Sequence, residues 1–228
     1  MQSEPVLEQV TSRATIQDLV YRQLRNALIN GDFDPGQTLT ISSLAGQFGT
    51  SHMPVREALR RLAAEMALEV ARNGSARVPV VSRARLDDLC RARMAVEGLA
   101  AELGARFITD EGRARLVEIE NQHTAAAQVG NVYQMLLANR DFHFAIYRAS
   151  GSDVLVQLID TLWLRFGPFM RMLSTHVKPL VERGPHEPYI KQHLAILAAL
   201  ENRDEASTRQ ALEQDINTTW DMLKDLCR

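Results

Sequence analysis

A chain of 228 residues with 46% apolar residues, 24% charged residues and a net charge of −2 has ordinary globular proportions. It is long enough for one large or two modest domains with a real core, and it carries no strongly basic footprint. No apolar run approaches transmembrane length, residues 1–14 lack the blocks of a signal peptide, and Cys90 and Cys227 lie too far apart for a CxxC clip. These features predict a cytoplasmic protein with reduced thiols and no membrane partner.

Residues 1–14 show no sustained period and read as a flexible arm. Ile16, Leu19, Val20, Leu24, Ala27 and Leu28 then recur at helical intervals, predicting a helix over 15–31 that Gly31 stops. Asp34-Pro35-Gly36 is a turn. Leu44, Ala45 and Phe48 give a short second helix its apolar face, and Gly49 ends it. Ser51 is placed to N-cap a third helix with Val55, Leu59 and Leu62 inside and Pro54 in its first turn. Helix, Gly-containing turn, helix is the layout of a helix-turn-helix, whose second helix enters the DNA major groove.

The segments 68–72 and 76–80 are β-prone and flank Asn73-Gly74, a strong hairpin signal. A hairpin directly after a recognition helix is a wing. Arg72, Ser75 and Arg77 lie around its tip, where they suit phosphate or minor-groove contacts. Residues 1–80 are neutral overall, with eight basic and eight acidic side chains, but 50–80 hold five Arg against three Glu. So little net charge per domain implies modest non-specific affinity, and two domains acting together in a dimer.

The winged helix-turn-helix is expected to span 15–81, with Ser82 opening a second domain over 82–228. Six helices are predicted there, over 83–107, 110–128, 131–149, 152–176, 187–201 and 204–226. An antiparallel six-helix bundle is the economical packing, so the fold class is mostly α. The first of these helices has Leu86, Leu89, Met94, Val96, Leu99, Leu103 and Phe107 as its apolar stripe, and Gly167-Pro168 should kink the fourth.

Polar residues interrupt these stripes. Asn139 and His143 project from one face of the third bundle helix, His193 sits among apolar residues on the fifth, and Asp215 on the sixth. Such side chains on facing helices are how bundles build internal metal sites, although each taken alone reads as a satisfied core residue or a solvated one. Arg93 suits a bidentate clamp on a carboxylate, or else an i, i+4 pair with Glu97 on a solvated face. The Trp163–Met172 cluster lines a pocket or simply packs the core.

Tyr21 to Gly31, Pro35-Gly36 and Pro54-Val55-Arg56-Glu57-Ala58-Leu59-Arg60-Arg61-Leu62 resemble the DNA-binding domain of GntR-family transcriptional regulators. Arg93-Met94-Ala95-Val96-Glu97, Phe142-His143 and His193 to Leu200 resemble the FCD ligand-binding domain of the FadR subfamily, in its six-helix, VanR-like form. The resemblance implies DNA contacts by Ser42, Ser43, Ser51, His52, Met53 and Arg56. His52 stands where Arg is common and Met53 where a small hydroxyl residue is common, which points to an operator of its own. It also implies a divalent metal (Zn²⁺, Ni²⁺, Mn²⁺ or Fe²⁺) at Asn139, His143, His193 and Asp215. Asn139 departs from the usual Asp there, and Asp215 from a usual His.

The expected function is therefore a homodimeric repressor of a catabolic operon that binds a two-fold symmetric operator and senses a small organic acid. A metal-dependent enzyme and a helical interaction protein without DNA binding are the rival readings. The chain has no HExxH, GxSxG or phosphate-loop motif to support the first.

Overall fold

The computed structural model describes residues 14–70, 75–181 and 187–227. The N-terminal part contains α1 (Ala14–Ile29), β1 (Thr38–Leu39), α2 (Ile41–Phe48), α3 (His52–Ala64), β2 (Glu69–Val70) and β3 (Ala76–Arg77). α1 buries Val20, Tyr21, Leu24, Leu28 and Ile29, and packs on α3 through Val55, Ala58, Leu59 and Leu62. Ile16 and Leu19, expected on its apolar face, are about half exposed instead (56% and 48%).

Thr40 N-caps α2 by accepting from the Ser43 N–H, and Gly49 ends the helix at φ 60°. Ser51 does occupy the N-cap position of α3 with extended backbone, yet its hydroxyl makes no cap hydrogen bond, against expectation. The wing is present. β2 and β3 pair antiparallel, and β1 adds to the other side of β3 in the order β1-β3-β2, with Leu39 opposite Ala76. No period announces β1, because two residues are too few to carry one.

The C-terminal part is an all-α bundle of α4 (Arg83–Phe107), α5 (Asp110–Gln128), α6 (Val132–Ala149), α7 (Asp153–Val181), α8 (Glu187–Glu201) and α9 (Glu205–Leu226). The side chains of Ser82, Thr109, Asn131 and Asp204 each accept a backbone N–H at the start of their helices. α7 passes through Pro168 and Pro179 without ending and outruns its expected limit of 176. α4 lies against α9 and α6, α5 against α6, and α8 against α9.

The stripe expected on α4 is displaced. Its buried face carries Leu86, Leu89, Cys90, Arg93, Glu97, Ala100, Ala101, Gly104 and Ala105, whereas Leu99 and Phe107 are exposed. Leu86 and Leu89 are buried as expected, but two charged residues stand in the middle of the buried face, so beyond Leu89 hydrophobicity alone misplaces it.

The two parts meet where α1 packs on α7. A Cβ on Gly167 would lie 2.1 Å from the Leu28 carbonyl oxygen, and one on Gly31 (φ 73°) 2.5 Å from the Arg171 nitrogen. Backbone therefore touches backbone at this junction. Three polar contacts frame it: Arg25 Nη2 to Asp160 Oδ2 (2.5 Å), Arg140 Nη1 to Asn30 Oδ1 (2.9 Å) and Arg171 Nε to Asp34 Oδ1 (2.6 Å). Buried apolar residues of the winged part join part of the bundle's core in one contiguous cluster, and a second cluster fills the rest of the bundle.

Candidate functional site

The N-terminal half of α3 presents an open polar face. Ser51, His52, Met53 and Arg56 are all exposed, as are Ser42 and Ser43 in the first turn of α2. The neighbouring arginines differ in availability. Arg60 pairs with Glu57 (3.1 Å), and Arg61 pairs with Glu65 and stacks over Tyr21 at 3.7 Å. Arg56 has no such partner among the described residues, which leaves its guanidinium ready for an external anion. On the wing, Arg77 donates to the Gly36 carbonyl (3.2 Å) and so lies folded against the turn; Ser75 is half-buried just before β3. Arg72 lies outside the described residues.

A second polar centre is buried in the bundle. His193 Nδ1 donates to Glu120 Oε2 (2.5 Å), and its Nε2 lies 3.1 Å from Asn139 Oδ1. Burial of Glu120 alone would raise its pKa; the neighbouring imidazoles of His123 and His193 overcome that and hold it down at about 2. Burial in turn pushes the His193 pKa down, against the pull of Glu120. The ionised Glu120 carboxylate accepts a hydrogen bond from the ring at Nδ1, which turns Nε2 toward Asn139. Phe142 stacks on the His193 ring at 4.2 Å and fixes its plane.

His143 is set the same way through a longer chain. Arg93 binds Glu97 through Nε (2.6 Å) and Nη2 (3.2 Å), and Tyr147 Oη donates to Glu97 Oε2 (2.5 Å). Burial, with the charge of Glu97, raises the Tyr147 pKa, so the phenol keeps its proton. That proton is engaged by Glu97, so the phenol oxygen accepts from His143 Nδ1 (3.3 Å). His143 Nε2 lies 3.3 Å from Asp215 Oδ2 and faces that carboxylate. Asp215 is also held below its ordinary value: burial works against this, and His143, His193 and Arg93 prevail.

Two imidazole nitrogens, a carboxylate oxygen and an amide oxygen thus face one another. Zn–N and Zn–O bonds of about 2.0–2.2 Å at angles between 90° and 109° put neighbouring donors roughly 3.0–3.4 Å apart. The separations of 3.1 and 3.3 Å match such edges. Charge agrees. Arg93 stands as one cation against the carboxylates of Glu97, Glu120 and Asp215, all buried or nearly so, and this leaves two negative charges for a dication to neutralise. The donor set fits a divalent metal.

Four expected residues, Asn139, His143, His193 and Asp215, converge here. Arg93, expected either to clamp a carboxylate or to pair with Glu97 on a solvated face, lines the same chamber; the pair with Glu97 forms, but buried, 8% and 0% exposed. The chamber itself is small, with a volume of about 30 Å³, and Trp163, Phe166 and Met170 complete its wall.

Comparison with known proteins agrees with this geometry. Residues 16–78 match the family model of bacterial regulatory proteins of the gntR family, and residues 88–218 match the FCD domain. The chain belongs to the GntR family and carries an FCD domain. It is 35% identical over 195 residues to the HTH-type transcriptional regulator McbR of Escherichia coli, covering 86% of each chain. It is 28% identical to the E. coli HTH-type transcriptional repressor GlaR, covering 87% of this chain and 91% of that one. The solved structure of E. coli McbR/YncC superposes with a TM-score of 0.86 at 31% identity, over 93% of this chain and 99% of that one. These relatives are DNA-binding transcriptional regulators, and not enzymes, as expected for this chain. No helix among the described residues is long and apolar enough to cross a membrane.

Sequence reasoning missed three outer partners, Glu120, His123 and Tyr147, and read Glu97 only as a partner of Arg93 on a solvated face. Glu120 and His123 lie at i, i+3 on α5, on the face that also buries Leu116, Ile119 and Ala127. Their place on an apolar stripe was the available signal.

Proposed function

We propose that this GntR-family regulator is a homodimer whose helical domain (82–228) holds a divalent metal and senses a small organic acid, and whose winged domain (15–81) represses a catabolic operon through a two-fold symmetric operator. The convergence of the His143 and His193 ring nitrogens on Asp215, in a chamber with an excess of carboxylates over cations, carries this reading. Asn139 completes the set as a neutral oxygen donor. When bound, the metal supplies a Lewis-acidic centre that takes a carboxylate. Glu120 and the Tyr147–Glu97–Arg93 chain orient the two imidazoles and hold their Nδ1 protons. Ser42, Ser43, Ser51, His52, Met53 and Arg56 read the DNA, with Arg72, Ser75 and Arg77 of the wing on phosphates or in the minor groove.

A metal-bound acid acts on DNA only through unequal affinity for two arrangements of the winged domains. The test is elemental analysis and mass spectrometry of the protein as purified, followed by a band shift with and without the acid found. Stoichiometric metal and a shift that responds to the acid are expected. Protein that neither contains metal nor takes up Zn²⁺ or Ni²⁺ sinks the metal site; DNA binding indifferent to every co-purified acid sinks the sensor.

A further inference from the structure

The metal chamber is not the only cavity in the fold. A second one, of about 710 Å³, opens at the junction between the winged part and the bundle. Its walls come from the end of α1 (Ile29 to Asp32) on one side, and from the α5–α6 turn, α6 and α7 on the other. Sites for small molecules usually measure roughly 300–1,000 Å³ and combine an apolar wall with a few polar groups. Leu136, Trp163 and Met170 supply the apolar wall here, and the same three residues separate this cavity from the metal chamber.

The polar lining is biased toward positive charge. Arg171 is neutralised by Asp34 at 2.6 Å. Arg140 rests on the neutral Asn30 oxygen and has an acid, Asp141, only at 3.5 Å; Lys178 is exposed and has no acidic partner among the described residues. Asp32 is the opposing carboxylate in the lining. Trp163 is 3% exposed, and its Nε1–H finds no acceptor among the described residues. A buried donor left without a partner is destabilising, and an acceptor on a ligand removes that cost.

We infer that the junction cavity is a second effector site, which takes a singly charged organic anion with an apolar body. The anion sits against Arg140 and Lys178, and its body lies on Trp163. Contact with both halves gives the ligand a preference for the arrangement in which α1 is docked on α7. Binding therefore favours that arrangement by its difference in affinity. The effect on DNA rests on the regulator reading above; the binding does not.

The full-length, zinc-loaded protein titrated with 8-anilinonaphthalene-1-sulfonate, an aromatic monoanion, tests the assignment. One saturable site per chain is expected, unaffected by chelation of the zinc and displaced by benzoate. Ser174→Trp, which fills the cavity, and the pair Arg140→Glu with Lys178→Glu, which reverses its charge without touching the core, should each weaken binding at least tenfold. Binding that does not saturate, or that the charge reversal leaves unchanged, overturns the site. Operator binding without cavity-dependent probe binding overturns this inference alone. Cavity-dependent probe binding without any DNA binding overturns the regulator reading and leaves the site standing.

Discussion

Gly167→Ala should loosen the junction through which any signal from the bundle reaches the winged part. The new Cβ would stand 2.1 Å from the Leu28 carbonyl oxygen and 2.9 Å from its carbon. That oxygen is the end of no flexible side chain; it belongs to α1 and accepts the Gly31 N–H at 3.0 Å. Relief therefore requires α1 and α7 to part by roughly 1 Å, and overpacking of this kind costs about 1–3 kcal/mol. Here the upper part of that range applies. Against it stands the helix-propensity gain of Gly→Ala, about 1 kcal/mol. The net loss is about 1–2 kcal/mol, or a fall in Tm of about 2–8 °C for a chain of this size.

Gly46→Ala is the matched control. Gly46 is exposed within α2, and a Cβ there meets nothing within 4 Å, so only the propensity gain remains. Its Tm should rise by about 1–4 °C. Calorimetry on both variants isolates the clash from the propensity. A Gly167→Ala protein as stable as Gly46→Ala would show that the two halves are not in backbone contact at this point.

Further outcomes follow from the two sites and the core. Arg56→Ala should weaken operator binding and leave circular dichroism unchanged; a base contact relaxes discrimination by about 1–3 kcal/mol at one position, whereas a phosphate contact lowers affinity on all sequences alike. Unaltered affinity at physiological salt would remove Arg56 from the interface. Asn139→Asp should tighten Zn²⁺ binding by adding an anionic oxygen, and Glu120→Gln should weaken it by about 10–100-fold by freeing the His193 tautomer, both read by calorimetric titration. Equal affinities in all three proteins would refute the ligand geometry. Burial raises the Cys90 thiol to about 11, so about one molecule in a thousand is thiolate at pH 8, and Cys90 should resist iodoacetamide until the protein unfolds. Prompt labelling of Cys90 in the native state would contradict its place in the core.

Local chemistry was legible in the chain. The cap at Ser82, the breaks between the bundle helices, the glycine after α2 and a hairpin over β2 and β3 act over a few residues, so each can be read without knowing what lies opposite; the Asn73-Gly74 turn itself lies outside the described residues. The six bundle helices and the winged order follow from those signals, and the four inward polar residues followed from interrupted stripes. Which face of α4 is buried did not follow. Arg93 and Glu97 enter the interior only because they neutralise each other there and because Tyr147, from another helix, completes their hydrogen bonds. Glu120 likewise has no role until α8 brings His193 to 2.5 Å, 73 residues away in sequence. The junction cavity and the backbone contact of Gly167 with Leu28 are also products of packing: a glycine in a helix declares freedom from a side chain, and only the tertiary structure names the neighbour that needs the space.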